Sequence, residues 1–354
     1  MDLDVLKKFY KNKKVFITGH TGFKGIWLYL ILNFLGAKVY GFSLKIQKND
    51  DYKFYKLIKK KIRGTYGDIL DYNSLKKSIF NFKPDIIFHL AAQSLVIESQ
   101  KNPKLTFETN VVGTNNLINI SRKIKKVKSI VIATSDKCYL NKNKFEYFKE
   151  NSRIGGCEPY SLSKSFAEIL IGIYINNNIF KSYKGISSVR AGNVIGGGDF
   201  AKSRILPDII KNYKNKKIIL RNPYSIRPWQ HIFDVATAYL FIPVFHYRNS
   251  KKYSGPYNVG PNNKSVLNVK NLTKLFTKFL NVKYEIYYKK GKFIESKYLF
   301  LNSSKIKKQL HWKPLYSINE SLKITTNWYN CYLKNKKNIF NLSNEQIKNF
   351  FHPQ

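Results

Sequence analysis

Three groups of residues carry chemistry that their neighbours do not require. Ser135, Asp136 and Lys137 follow the apolar run Ser129–Ala133 almost at once, so a hydroxyl, a carboxylate and an amine leave one strand together. Ser and Asp favour turns because their side chains bond nearby backbone groups, and a plain strand-end turn accounts for this triplet taken alone. The alternative is a site at the carboxyl end of a parallel strand, where open α/β sheets hold their ligands. Tyr160 and Lys164 stand four residues apart in a segment of helix length, so both side chains share one helical face. An ammonium near a phenol favours the phenolate and lowers its pKa. Gly19, Gly22 and Gly25 lie between a strand-like run and a helical one. There one glycine allows a tight bend, one lets the backbone approach a pyrophosphate, and one lets helix and strand pack closely. The phosphates would face free N–H groups at the helix start. A nucleotide loop beside a Tyr–Lys pair suggests hydride transfer.

The elements that must position these groups alternate along the first half. Lys14–Thr18, Lys38–Phe42, Ile62–Asp68, Asp85–Ala92, Ser129–Thr134 and Ile186–Asn193 read as strands, most of them separated by segments of helix length. This is the βαβ pattern of an α/β fold with a doubly wound parallel sheet. After Asn193 the regularity falls away, because Gly196–Gly198, Pro207, Pro223, Pro228, Pro256 and Pro261 cut the chain into short pieces. Pro256–Gly260 is expected to rejoin the sheet. The tail from Lys264 reads as helical, with Ser317 and Glu320 forming a capping box at the start of Ser317–Leu333. The expected organisation is a Rossmann domain over 1–190, to which 230–260 returns. A smaller mixed α/β substrate lobe takes 191–229 and 261–354. At the end of the second strand, where an acid commonly reads the cofactor ribose, Ser43 and Lys45 stand instead, so that position does not choose between NAD and NADP. Asp68 reads equally as an adenine contact or a solvated loop acid.

Composition removes several classes of function. The 354 residues, 43% hydrophobic with 25 Tyr and 25 Phe, suffice for a packed core. Ile26–Gly36 is too short to span a bilayer, which takes about 20 residues, and Met1–Lys14 lacks the apolar core of a signal peptide. Cys138, Cys157 and Cys331 form no CxxC pair and cannot all be bridged, which fits a reducing cytoplasm. The formal charge of +42 raises nucleic acid or an anionic membrane as partners. Its lysines, however, are spread evenly, and Lys, Asn, Ile, Phe and Tyr are abundant together, as in an AT-rich genome. Neither partner is expected. Of 63 basic residues eight are arginine, and four of these fall in Arg190–Arg227. Where drift favours lysine, an arginine points to a need for its bidentate fork on phosphate or carboxylate.

The glycine loop, "TSDKCY" and "PYSLSK" together resemble the extended short-chain dehydrogenase/reductase superfamily. "VFITGHTGFKGIWL", "GDILD", "IIFHLAAQSLV", "TNVVGTNNL", "EPYSLSK", "VRAGNVIGGGDF", "RILPD", "RNPYSIRPWQHI" and "YNVGP" occur in the order and spacing of bacterial CDP-glucose 4,6-dehydratases, from about Lys11 to Tyr332. Sister dehydratases for dTDP-glucose or GDP-mannose normally carry Thr-Asp-Glu or Thr-Glu where Ser135, Asp136 and Lys137 stand. The resemblance implies NAD as cofactor, CDP-glucose as substrate, no metal, and a homodimer serving deoxysugar synthesis for a surface polysaccharide. For the cofactor it implies contacts at Gly19, Thr21, Gly22, Phe23, Lys24, Gly25, Asp68, Ile69, Leu90, Ala91, Ala92, Gln93, Tyr160 and Lys164. For the substrate it implies Asn110, Asn193, Arg204, Arg221 and Arg227.

The implied reaction converts CDP-glucose to CDP-4-keto-6-deoxyglucose. Tyr160 takes the proton of the 4-hydroxyl, Lys164 holds its pKa down, Ser135 bonds O4 and Asp136 protonates the leaving 6-hydroxyl. Lys137 is the base for C5 or, kept charged, a stabiliser of the enolate. Ile97 stands where the family usually has an arginine, and Asn302 where it has an aspartate. Two other readings remain: a sister dehydratase or epimerase, and a non-catalytic Rossmann binding module.

Overall fold

In Lys14–Thr18 (β1), Val15 and Ile17 join one apolar cluster while Phe16 joins another. Lys38–Ser43 (β2) and Gly64–Tyr66 (β3) follow; in Ile86–His89 (β4), Ile86 and Phe88 again oppose Ile87, and in Ser129–Ala133 (β5), Val131 opposes Ile130 and Ile132. Successive side chains on a strand point to opposite faces. Apolar residues at every position therefore require cover on both faces, as in a parallel sheet between helices. The computed structural model, which describes residues 2–46, 50–177, 179, 184–262, 266–288 and 296–352, has that architecture. Gly185–Ala191 (β6) and Gly255–Val259 (β7) complete a seven-stranded sheet in the order β7-β6-β5-β4-β1-β2-β3. All its pairings are parallel. The segment expected at Pro256–Gly260 thus returns beside β6. Lys264, where the helical tail was expected to begin, lies outside the described residues.

Strand ends differ from the sequence reading for tertiary reasons. β4 stops at His89, three residues short of the expected Ala92. Beyond it the backbone of Gln93 is held by the Asn110 side chain, its N–H donating to Oδ1 at 2.9 Å and its carbonyl accepting from Nδ2 at 3.0 Å. That contact draws the loop off the sheet.

The apolar run after the glycine loop forms the helix Phe23–Phe34 (α1), buried along most of its length. It runs against two other helices: Trp27 meets Phe233, and Phe34 meets Phe351, edge-on and tilted at 5.0 and 5.5 Å between ring centres. Among the described residues no helix is long and apolar enough to cross a membrane. Pro159–Asn176 (α2) carries Tyr160 and Lys164, and Ile232–Arg248 (α3) is buried at nearly every residue. After β6 the chain makes two-stranded pairings: Ile226–Pro228 with Val266–Asn268, Lys217–Leu220 with Glu285–Tyr288, and Gln230–His231 with Val194–Ile195. The last long helix but one, Ile318–Lys334 (α4), starts in the expected capping box: Ser317 accepts from the Glu320 N–H, and Glu320 accepts from the Ser317 N–H.

Candidate active site

The glycine loop is shaped by what a side chain would strike. Gly19 has φ +76°, a region that glycine alone enters freely, and a Cβ there would lie 2.6 Å from the Ala91 nitrogen. A Cβ on Gly25 would lie 2.1 Å from the Gly19 carbonyl oxygen. The loop is thereby pressed against Leu90 and Ala91, and no side chain caps α1 at Gly22. The first N–H groups of α1, beside Phe23 and Lys24, are those that suit an anionic diphosphate. These residues fit the dinucleotide implied by the sequence. Thr21 is buried, its N–H donating to Ser43 Oγ at 3.4 Å, while Ser43 also bonds His20 Nδ1 at 2.8 Å. Ser43, at the expected ribose position, is therefore engaged in holding the loop.

Opposite the loop, Leu90, Ala91, Ala92 and Gln93 are half-buried. Thr18 Oγ1 accepts from the Ala91 N–H at 3.3 Å and bonds His89 Nδ1 at 2.6 Å. Burial lowers His89 to about 3, so this histidine is a neutral brace. Asp68 accepts from the Leu70 N–H at 2.9 Å. Ile69 is buried, and a Cβ on Gly113 would lie 2.5 Å from its Cδ1.

At the end of β5, Ser135 Oγ accepts from the Lys137 N–H at 3.2 Å and donates to Asp136 Oδ1 at 3.0 Å. Asp136 Oδ2 is buried and has no hydrogen-bond partner among the described residues. It lies 3.2 Å from where a Cβ on Gly192 would stand. Burial raises the Asp136 pKa, against the pull of Lys137, Ser135, Arg227 and Lys24. Such a carboxyl keeps its proton to higher pH than an ordinary one, as a general acid should.

Tyr160 is set by the cap of α2: Glu158 Oε2 accepts from its N–H at 2.8 Å, and Oε1 accepts from the Ser161 N–H at 2.9 Å. Burial pushes the Tyr160 phenol up to about 12, with Ser135 and Arg204 pulling the other way. That direction reverses the expected lowering, because removal from water outweighs nearby positive charge. Lys164 donates to the Ala133 carbonyl at 3.5 Å. Burial, and after it the like charge of Lys24, lower Lys164 to about 8.

Arg204 pairs with Asp199 Oδ2 at 2.9 Å and keeps 36% of its side chain exposed. Arg227 is buried and donates to the Ile226 carbonyl at 2.8 Å. Ser135, Asp136, Tyr160, Lys24, Lys164, Arg204 and Arg227 thus act on one another in a single cluster. Arg221 stands apart, donating to the Ser203 carbonyl at 3.0 Å. Asn193 is half-buried and accepts through its backbone from the Gln230 N–H at 3.0 Å. Asn110, 1% exposed, braces Gln93 and donates to Ser163 Oγ at 2.9 Å. Asn302, at the family's aspartate position, accepts from the Ser304 N–H at 2.9 Å, as an aspartate would. Sequence reasoning missed two groups: Asp199, which partners Arg204, and Glu168, one turn beyond Lys164; Lys24, expected at the cofactor, also bears on Asp136. The i,i+4 spacing from Lys164 to Glu168 was the one available signal.

A dinucleotide cradle at the ends of β1 and β4, facing a Ser-Asp-Lys strand end and a Tyr–Lys helix, defines an extended short-chain dehydrogenase/reductase. Residues 16–325 match the GDP-mannose 4,6 dehydratase family, and the chain belongs to that family. The CDP-glucose 4,6-dehydratase of Salmonella typhimurium is 38% identical over 335 residues, which cover 93% of each chain. Among solved structures, the epimerase Mth375 of Methanothermobacter thermautotrophicus superposes with a TM-score of 0.81 at 20% identity, over 95% of this chain and 97% of that one. A dTDP-glucose 4,6-dehydratase from Bacillus anthracis, in complex with NAD, superposes with a TM-score of 0.74 at 22% identity, over 93% and 99%. These two establish the shared fold.

Proposed function

We propose that the chain is an NAD-dependent hydro-lyase that converts CDP-glucose to CDP-4-keto-6-deoxyglucose and water. The observation that carries this reading is Asp136: a buried carboxyl with raised pKa and an unpartnered oxygen, next to the Ser135 and Tyr160 hydroxyls. A 4-epimerase has no leaving water and needs no such acid. The Salmonella relative supports the CDP nucleotide. The cradle at Gly19–Gly25 would hold NAD, which would supply reversible hydride transfer to and from the sugar.

The chain's own residues supply the proton chemistry. Tyr160 takes the proton from the 4-hydroxyl, while Ser135 donates to the oxygen that becomes the ketone, a donor preset for developing charge. The 4-keto group acidifies C5–H. Lys137 takes that proton, and Asp136 gives its own to the departing 6-hydroxyl, which leaves as water. Lys137 returns its proton to C5 as the hydride reaches C6. Asp136 ends unprotonated and Tyr160 protonated, so one proton passes between them through solvent to close the cycle. Arg204 and Arg227 bind the substrate diphosphate, with Arg221 and Asn193 beside the nucleotide, in a lobe built from 191–229 and 261–354. Ile97 then lies outside the proton chemistry.

The assay is mass spectrometry of CDP-glucose after incubation with protein and NAD, run beside dTDP-glucose, UDP-glucose and GDP-mannose. Loss of one water from CDP-glucose alone, absent in Tyr160→Phe, is the expected result. Water loss from another nucleotide sugar would retain the mechanism and reject CDP. A homodimer forms part of the same reading, supported by Phe166, Ile169 and Ile173, which stand 45%, 48% and 49% exposed on α2. Light scattering on the pure protein checks it, a mass near that of one 41.4 kDa chain ruling it out. Three free cysteines agree with a cytoplasmic setting for this step in deoxysugar synthesis.

A further inference from the structure

We propose that the buried Glu168–Arg190 pair is a clamp on both ends of the segment Thr134–Tyr139, positioning Ser135, Asp136 and Lys137 without touching substrate. Glu168 is on α2 and Arg190 on β6, 4% and 2% exposed, with Arg190 Nη2 2.6 Å from Glu168 Oε2. At the front of the segment, the Thr134 hydroxyl donates to Glu168 Oε1 and to the Val189 carbonyl. At its back, Arg190 Nη1 donates to the Tyr139 hydroxyl at 2.8 Å, and the guanidinium lies 4.9 Å over the Tyr139 ring. Tyr139 in turn donates to Asn258 Oδ1 on β7 at 2.7 Å, and Ser188 donates to Glu168 Oε2 at 2.8 Å.

Burying an ion pair is a poor way to stabilise a core, since apolar residues of similar volume often do as well or better. An apolar pair could not bond two hydroxyls at opposite ends of one segment. Inside the segment the ties are short-range or end at Cys138. The Cys138 N–H donates to the Ser135 carbonyl and the Lys137 N–H to Ser135 Oγ, both at 3.2 Å, and Ser135 Oγ donates to Asp136. The Cys138 carbonyl accepts from Ser165 Oγ and the Gly155 N–H, both at 2.9 Å. Lys164 adds its bond to the Ala133 carbonyl, so Lys164 and Glu168, one turn apart, fasten consecutive residues of the strand end. Reacting groups misplaced by about 1 Å lose on the order of 100-fold in rate. A rigid mount for an acid and an oxyanion donor therefore has a catalytic purpose. The scarce arginine at position 190 has found a carboxylate, and it is the protein's own.

The kinetic half of this inference rests on the proposed dehydration; the mechanical half does not. The test uses Thr134→Val and Tyr139→Phe, each removing one clamped hydroxyl while leaving the ion pair, with Thr134→Ser as the conservative control. Two quantities are measured on the full chain with NAD: kcat and KM for CDP-glucose, and the rate at which N-ethylmaleimide labels the fully buried Cys138. Peptide mass mapping reads that rate against the exposed Cys157. The valine and phenylalanine variants should lose about tenfold or more in kcat with KM within about twofold. Both should label faster at Cys138, and Thr134→Ser should restore both quantities. Wild-type protection of Cys138 in both variants overturns the clamp, whatever the activity. If the wild-type chain dehydrates no sugar, the functional reading fails, and the labelling rates still decide this one.

Discussion

Two arginines of this chain each meet a carboxylate, and the surroundings give them opposite roles. Arg190 and Glu168 expose 3% and 2% of their side chains, and both are further bonded by Thr134, Ser188 and Tyr139. Arg204 and Asp199 meet at 2.9 Å, with 36% of the Arg204 side chain exposed, and the arginine interacts electrostatically with Tyr160 and Lys24. A fully enclosed pair cannot exchange its partner, because parting it strands two charges out of water. A half-open pair can. On the proposed function, Arg204 would turn its other donors toward an incoming diphosphate while Asp199 keeps hold of Nη1. Scarcity of arginine points to both positions equally; burial alone separates a mount from a grip.

Removing Glu168 should have the largest effect. Glu168→Ala leaves Arg190 charged and unpaired, and breaking a buried pair costs about 3–5 kcal/mol, read as a lower urea midpoint. A variant as stable as wild type would show that water reaches the pair and that the contrast with Arg204 is unfounded. Arg204→Ala should cost less stability than Glu168→Ala, because water reaches Arg204 and Asp199 still accepts from the Ala201 N–H. Its loss should appear in KM for CDP-glucose, by about 10- to 100-fold, the range for a hydrogen bond to a charged group. Stability falling as far as in Glu168→Ala, with KM unchanged, would make Arg204 a second mount.

Much of the frame is legible in the amino-acid sequence. β1 and β5 carry consecutive apolar residues, Val15–Ile17 and Ile130–Ala133, that only a two-sided sheet accommodates, and Tyr160 with Lys164 needed only helical spacing. The missing parts are those set across the chain. The end of β4 depends on Asn110 reaching back to Gln93. The Glu168–Arg190 pair joins α2 to β6, and periodicity within either element says nothing about the other. The direction of the Tyr160 shift depends on enclosure, whereas a sequence shows only which charges are near along the chain. Lys24, expected at the cofactor, also bears on Asp136 and Lys164.

That last contact gives the finest test of the contrast, because the two regions push one amine in opposite directions. Lys164 is lowered to about 8 by burial and by Lys24, and Glu168 raises it. On the proposed function its charge would support the Tyr160 phenolate, and it would disappear as pH rises through that value. In the free enzyme, kcat/KM reports such groups, so the wild-type profile at saturating NAD should fall on the alkaline side near pH 8. Lys24→Met removes a like charge, raises the Lys164 pKa and moves that limb to higher pH. Glu168→Gln removes an opposite charge, lowers the Lys164 pKa and moves the limb to lower pH, when assayed below the variant's unfolding range. Each shift should be smaller than the effects on stability or KM, but their signs must differ. Limbs that move together, or not at all, would remove Lys164 as the titrating group and with it the electrical link between mount and cleft.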